Sequence, residues 1–245
     1  MPASVVRNLI PLQCNNCVIR HRAICGTLNG DDLTRINAIA RQKKYRTGET
    51  IFYEGDEVNY LGNVVSGVVK LGKLLPDGRQ QIVGLQFASD FLGRAFKGKA
   101  TCQAEAATDV ELCIFPRKPF ESLLSDIHDL EDQLFANTLD ELDAARDWLL
   151  LLGRQSAREK VAKFLLMIAR RIPNIGCGSG DGEDADAICF DLPLSRADMA
   201  DFLGLTIETV SRQITRLKTD ELIDVEQNRT ITVSSVSRLE AASGQ

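Results

Sequence analysis

Two hydrophobic rhythms divide this chain. From Thr47 onward, short apolar runs such as Ile51-Phe52-Tyr53 and Gly67-Val68-Val69-Lys70-Leu71 are punctuated by Gly48, Gly55, Gly62, Gly67, Gly72, Gly78, Gly84 and Gly93. Closely spaced short strands with glycine turns predict a barrel or roll, whose last strand is Val110–Phe115. Pro76-Asp77-Gly78 reads as a hairpin turn, because proline presets one dihedral and glycine tolerates positive φ. Ahead of the roll, Leu33, Ile36, Ile39 and Ala40 share a face of a short helix over Asp31–Lys44. Behind it the period lengthens, and Pro119 to Leu152 reads as one long helix that Gly153 ends. Ser156-Ala157-Arg158-Glu159 is a capping box that starts another helix, running to about Ile172 before Pro173.

Within the long helix Phe135, Thr138, Leu142, Ala145, Leu149 and Leu152 recur at spacings of three and four, a heptad seam. With Phe135 at position a, Glu141 falls at g and Arg146 at the next e, where opposite charges meet across a parallel two-stranded coiled coil. The seam predicts a homodimer, and its polar or small members, Thr138 and Ala145, predict a weak one. The competing reading is a helix packed on its own domain.

Ser195–Thr219 has a third texture. Ser195 with Asp198 caps a first helix, Gly204 supplies a tight turn, and Thr206 caps a second helix. Two strand-like runs around Gln227-Asn228-Arg229 form a hairpin after it, so the pattern is a winged helix-turn-helix. On the second helix Ile207, Val210, Ile214 and Leu217 make the apolar stripe, and Glu208, Ser211, Arg212 and Thr215 fall opposite. Arginine grips guanine bidentately, glutamate accepts from cytosine N4, and serine bonds either way. Arg216 and Lys218 are placed for phosphates.

Composition narrows the picture. A chain of 245 residues builds one large or two small domains, and we divide it into 1–30, 31–118, 119–153 and 154–245. The net charge of −5 argues against indiscriminate binding to nucleic acid or anionic membranes; the acid concentrates in Glu131–Asp147 and Asp181–Asp186. Gly176–Asp186 reads as a flexible surface loop. No apolar run approaches the ~20 residues of a membrane span. Met1-Pro2-Ala3-Ser4-Val5-Val6-Arg7 lacks signal-peptide features, so a cytoplasmic protein is expected. Its seven cysteines are then reduced, and metal or redox roles outrank disulfides.

Three of those cysteines crowd together as Cys14-x2-Cys17-x7-Cys25. Thiolates are soft ligands that favour zinc or iron–sulfur clusters, and the group is one short of a closed site. Cys102, Cys113, Cys177 and Cys189 are the candidates to complete it. Strand alternation puts Val110, Leu112 and Ile114 on one face and Cys113 with Glu111 on the other, away from the roll interior. Cys102 runs in phase with Ala104 and Ala106 and reads as an inward-facing small hydrophobe. Cys177 and Cys189 read as structural or incidental. His21, flanked by Arg20 and Arg22, reads as part of an exposed basic patch rather than a ligand. On donor chemistry alone, zinc and a [4Fe–4S] cluster both suit four cysteines.

Gly204-Leu205-Thr206-Ile207-Glu208-Thr209-Val210-Ser211-Arg212 resembles the recognition-helix signature of the CRP/FNR superfamily, and its Glu-x-x-Ser-Arg set resembles that of oxygen-responsive FNR-type regulators. The order of roll, long helix and winged helix-turn-helix covers nearly the whole chain, and the cysteine arm is the FNR-type addition. Its spacing departs from the shorter enteric arm and is similar to an alphaproteobacterial branch. The resemblance implies an α+β fold: an N-terminal cyclic-nucleotide-binding-like jelly roll, a long dimerisation helix and a C-terminal winged helix-turn-helix. It also implies an oxygen-labile [4Fe–4S] cluster on Cys14, Cys17, Cys25 and Cys113, with the distant ligand matched at Cys113 by the Ile114-Phe115-Pro116 that follows. A dimer active without oxygen, palindromic TTGAT-like sites in double-stranded DNA, and RNA polymerase as a partner at the Pro76–Arg79 turn follow from the same likeness. Family members that bind cyclic AMP hold its phosphate with Gly-Glu and a later Arg; here Gly93 precedes Arg94 and Gly98–Gln103 has no arginine, so no cyclic nucleotide is expected. The alternatives are a regulator whose cysteines hold structural zinc, with an unrelated effector in the roll, and an iron–sulfur electron-transfer protein. No catalytic triad, Rossmann fingerprint or phosphate-binding loop favours an enzyme.

Overall fold

The computed structural model describes Cys14, residues 16–174 and residues 187–244. Gly176–Asp186, with Cys177, lies outside them. The architecture is α+β: a β-sheet jelly roll, helices, and a C-terminal helix-turn-helix. The chain divides into two compact units: the chain up to Leu71 with Leu85–Leu142, and Gly72–Gly84 with Asp143 onward.

The arm from Cys17 to Leu28 is a succession of tight turns, with Ala23 N donating to Ile19 O and Gly26 N to Ala23 O. Helix α1 (Gly30–Ile39) follows, its first amides capped by the Asn29 side chain. It is shorter than the Asp31–Lys44 expected. Arg41–Tyr45 is instead β1, antiparallel to β8. Arg41, Gln42, Lys43 and Lys44 are all exposed, so this is a charged edge strand with no apolar alternation to read, a common device against edge-to-edge pairing.

The roll comprises β2 (Thr50–Phe52), β3 (Tyr60–Ser66), β4 (Val69–Leu74), β5 (Gln80–Gln86), β6 (Phe91–Leu92), β7 (Gln103–Ala106) and β8 (Val110–Pro116), ordered β1-β8-β3-β6 and β2-β7-β4-β5 in two four-stranded sheets. The turn between β4 and β5 holds Gly78 at φ +86, as expected of Pro76-Asp77-Gly78. The two faces of β8 serve two cores. Val110 and Leu112 pack inside the roll with Val64, Val69, Ala104 and Ala106, and Ile114 packs against them. Phe115 and Cys113 face a second, helical cluster of Ile24, Leu28, Leu33, Ile36, Leu61 and Phe120.

Beyond β8 the expected long helix is two: α2 (Arg117–Asp126) and α3 (His128–Arg154). Ile127 breaks them, with φ −118 and ψ 99. No glycine or proline marks this break. Ile127 and Leu130 are both buried in the helical cluster, and the extended residue lets both enter it before α3 leaves. Gly153 lies inside the last turn of α3, one residue short of its end.

Helix α4 (Ala157–Arg171) opens on the expected capping box, with Ser156 and Glu159 bonded reciprocally. Strand β9 (Ile188–Asp191) precedes α5 (Arg196–Leu203) and α6 (Ile207–Thr219). Strands β10 (Ile223–Glu226) and β11 (Thr230–Val233) form the expected hairpin, and β9 completes the sheet as β10-β11-β9. A last helix, α7 (Val236–Ala242), had no sequence expectation. Among the described residues no helix is long and apolar enough to cross a membrane.

Candidate functional site

The reader helix is built by local rules. Ser195 Oγ accepts from Asp198 N (3.1 Å) and the Asp198 carboxylate accepts from Ser195 N (3.1 Å), closing a second capping box. Gly204 ends α5 at φ +61, ψ 43, the left-handed region that glycine enters without a Cβ penalty. Thr206 then caps α6, its Oγ1 accepting from Thr209 N at 3.2 Å. Val210, Ile214 and Leu217 are buried as the stripe requires. Ile207 is not: it is 48% exposed, and Gln213 is buried instead. The buried stripe therefore begins at Val210, one turn later than expected, because the first turn of α6 stands clear of the domain.

Glu208, Ser211, Arg212 and Thr215 are all exposed on α6. Hydrogen bonds from its own backbone amide and from the Thr206 hydroxyl hold the Glu208 carboxyl below its ordinary pKa, so it is an acceptor. The hydrogen bond from Arg212 to Thr209 Oγ1 is long, 3.4 Å, and the residue is exposed with its planar donor fork. Arg216 is exposed as well. Lys218 is engaged with Asp224 at 2.7 Å, an exposed pair that a phosphate can displace. Trp148 stacks on Phe202 with centroids 4.0 Å apart, fixing the C-terminal half of α3 against α5.

Along α3, Phe135, Leu142 and Leu149 are 64%, 45% and 70% exposed, and Leu139 and Leu150 join them. Thr138 and Ala145 are exposed on the same helix, while Leu152 is half-buried. Glu141 accepts from Gln86 Nε2 at 3.2 Å. Arg146 pairs with Asp143 at 2.7 Å on its own helix.

The thiols are brought together from distant segments. Cys25 and Cys113 both pack against the helical cluster. Gly62 lets β3 approach β8 at this level: a Cβ there would meet the Cys113 carbonyl oxygen at 2.5 Å. Burial, and then the neighbouring Cys113, Cys14 and Cys17, push the Cys25 thiol up to about 12. Burial, and then Cys17, Cys14 and Glu111, push Cys113 up to about 12. Burial, followed by Cys17, raises Cys14, against an opposing pull from Arg20. Cys14 Sγ also donates to Asn37 Oδ1 at 3.5 Å. Neighbouring thiols thus oppose the ionisation of Cys14, Cys25 and Cys113, and metal binding would release their protons. Among the described residues no group of three or more His, Cys, Asp or Glu side chains is gathered tightly enough to hold a metal ion as it stands.

Cys102 is half-buried just before β7, and Cys189 is buried in β9, where Thr232 Oγ1 lies 3.6 Å from its sulfur. His21 is exposed. Sequence reasoning missed Asn63, whose Nδ2 lies 4.0 Å from Cys25 Sγ; a lone amide within Leu61-Gly62-Asn63-Val64-Val65 was the available signal.

Comparison with known proteins gives two family matches: a Crp-like helix-turn-helix domain over residues 159–242 and a cyclic nucleotide-binding domain over residues 42–126. The chain is 46% identical over 230 residues to a probable transcriptional activator of Rhizobium leguminosarum bv. viciae, covering 94% of this chain and 92% of that one. It is 42% identical to the transcriptional activator protein FnrL of Cereibacter sphaeroides, covering 93% and 90%. Among solved structures, FixK2 from Bradyrhizobium japonicum superposes with a TM-score of 0.74 at 34% identity, covering 83% of this chain and 97% of that one.

Proposed function

The chain belongs to the CRP/FNR superfamily of DNA-binding transcription regulators, and from that premise we propose that it is an oxygen-responsive activator whose sensor is a [4Fe–4S] cluster on Cys14, Cys17, Cys25 and Cys113. The observation that carries the reading is that Cys25 of the arm and Cys113 of β8 pack against one cluster, with Cys14 and Cys17 close enough to raise both thiols, in a chain that also displays Glu208, Ser211 and Arg212. The donor set fits the group: four soft ligands against an apolar cluster match a [4Fe–4S] site. When bound, such a cluster supplies a crosslink between arm and strand that dioxygen can oxidise and dismantle.

The residues around it provide a route outward. Four positions beyond Cys113, Arg117 donates to Val58 O through Nε (2.9 Å) and Nη2 (2.7 Å) and also to Arg94 O. It pins the junction of β8 and α2 to the roll. Helix α2 then ends at Asp126, and the Ile127 that follows is buried in the same cluster that touches Cys25 and Cys113. Changes in arm packing therefore reach the start of α3. In this reading Phe135, Thr138, Leu142, Ala145, Leu149 and Leu152 form the seam of a homodimer, with Glu141 and Arg146 exchanging their present partners across it. Pairing sets two reader helices about one DNA turn apart on a palindromic TTGAT-like site. Thr206 orients the reader helix, Glu208, Ser211 and Arg212 read bases, and Arg216 and Lys218 hold phosphates. The exposed Pro76–Arg79 turn, held by Asp77 with Arg79 at 2.8 Å, is the surface offered to RNA polymerase. Cyclic nucleotides have no part.

Anaerobic purification tests the reading. A brown protein whose visible absorbance bleaches in air, with DNA binding lost in parallel, is expected. A colourless protein with stoichiometric zinc would sink it, and redox cycling with no DNA affinity would favour an electron carrier.

A further inference from the structure

Asn63 sits in the middle of β3, paired with Cys113 on one side and Phe91 on the other. It is 1% exposed. Its neighbours on this face, Leu61 and Phe115, belong to the apolar helical cluster. Its Nδ2 lies 4.0 Å from Cys25 Sγ, and its Oδ1 has no hydrogen-bond partner among the described residues. An unmet buried polar group is destabilising, and valine or leucine would fill such a strand position without that penalty. Packing therefore does not explain an amide here. A donor aimed at a sulfur that can ligate a metal does.

We propose that Asn63 is a positioning residue of the thiol site, donating an N–H···S hydrogen bond to the Cys25 thiolate when the cluster is bound and thereby slowing the cluster's loss of an electron to dioxygen. The inference rests on the iron–sulfur reading above. A carboxamide carries donors as well as an acceptor, and its nitrogen is the end that faces the Cys25 sulfur. A donor to a ligating sulfur withdraws electron density and raises the reduction potential. The oxidant is the dioxygen of the proposed function, and no further reactant is needed.

The test compares full-length wild type with Asn63→Leu and Asn63→Ala, each loaded anaerobically with ferrous iron and sulfide. Iron and sulfide per chain, midpoint potential and bleaching rate in air are measured. Both variants are expected to load as the wild type does, to have a lower potential, and to bleach roughly tenfold faster, the scale on which partners of metal ligands act. Where Asn63→Leu does not fold by circular dichroism, Asn63→Ala carries the comparison. An unchanged potential and lifetime in a loaded variant would overturn the proposal alone. So would a folded variant that takes up no iron, since the amide would then hold the cluster rather than tune it. A wild type that takes up no iron overturns the parent reading and this inference together.

Discussion

The thiol region and the reader helix solve opposite problems. Everything the reader helix needs lies within Ser195–Thr219: two caps, a left-handed glycine, and Val210, Ile214 and Leu217 turned inward. Its polar face is displayed on a finished scaffold. The thiol region draws its members from the arm and from β8, far apart in sequence, and half-buries them, with Cys25 and Cys113 held as neutral thiols. One is specified within a short segment; the other is completed only when something draws its parts together. A sensor requires that asymmetry, because a ligand shifts an equilibrium only through its differential affinity for the two states.

Point substitutions break or sharpen the contrast. Cys113→Ser should have the largest effect: no visible absorbance after anaerobic loading, and DNA affinity in a gel shift down by about 10²-fold to its air-exposed level. If Cys113→Ser stays coloured and Cys102→Ser does not, the assignment by strand phase is wrong. Arg212→Ala should weaken the specific site by about 1–3 kcal/mol in air or without it, leaving non-specific binding unchanged; equal losses on every sequence would reassign Arg212 to phosphate. Thr138→Leu with Ala145→Leu should strengthen the dimer by about 2 kcal/mol through added apolar burial. Sedimentation in air should then show a dimer, and a monomer would undermine the seam. Gly204→Ala should act least, about 1 kcal/mol of thermal stability from the left-handed backbone, since the nearest atom to an added Cβ is Leu152 Cδ2 at 3.8 Å. Its loss should leave iron loading untouched.

The same asymmetry decided what was legible in the sequence. Caps, turn and apolar stripe of the helix-turn-helix are short-range features, and they were readable down to Ser195 and Thr206. The error there, Ile207, came from extending an apolar period past the point where the domain provides cover. Strand phase in Val110–Phe115 sufficed to turn Cys113 outward, because period-two alternation is also local. Strand β1 was invisible because its exposed side chains carry no hydrophobic rhythm, only the register with β8. The break at Ile127 needed knowledge of the helical cluster it fills, and Asn63 needed the β3–β8 register that sets it opposite Cys113.

The joint at Ile127 carries one more implication. Helix α3 restarts at His128 and runs for 27 residues, about 40 Å at the helical rise. A rod of that length is a lever with a short input arm. A tilt of about 5° at the joint displaces Leu142, about 21 Å along the shaft, by about 2 Å. That displacement is obtained without melting a hydrogen bond along the shaft.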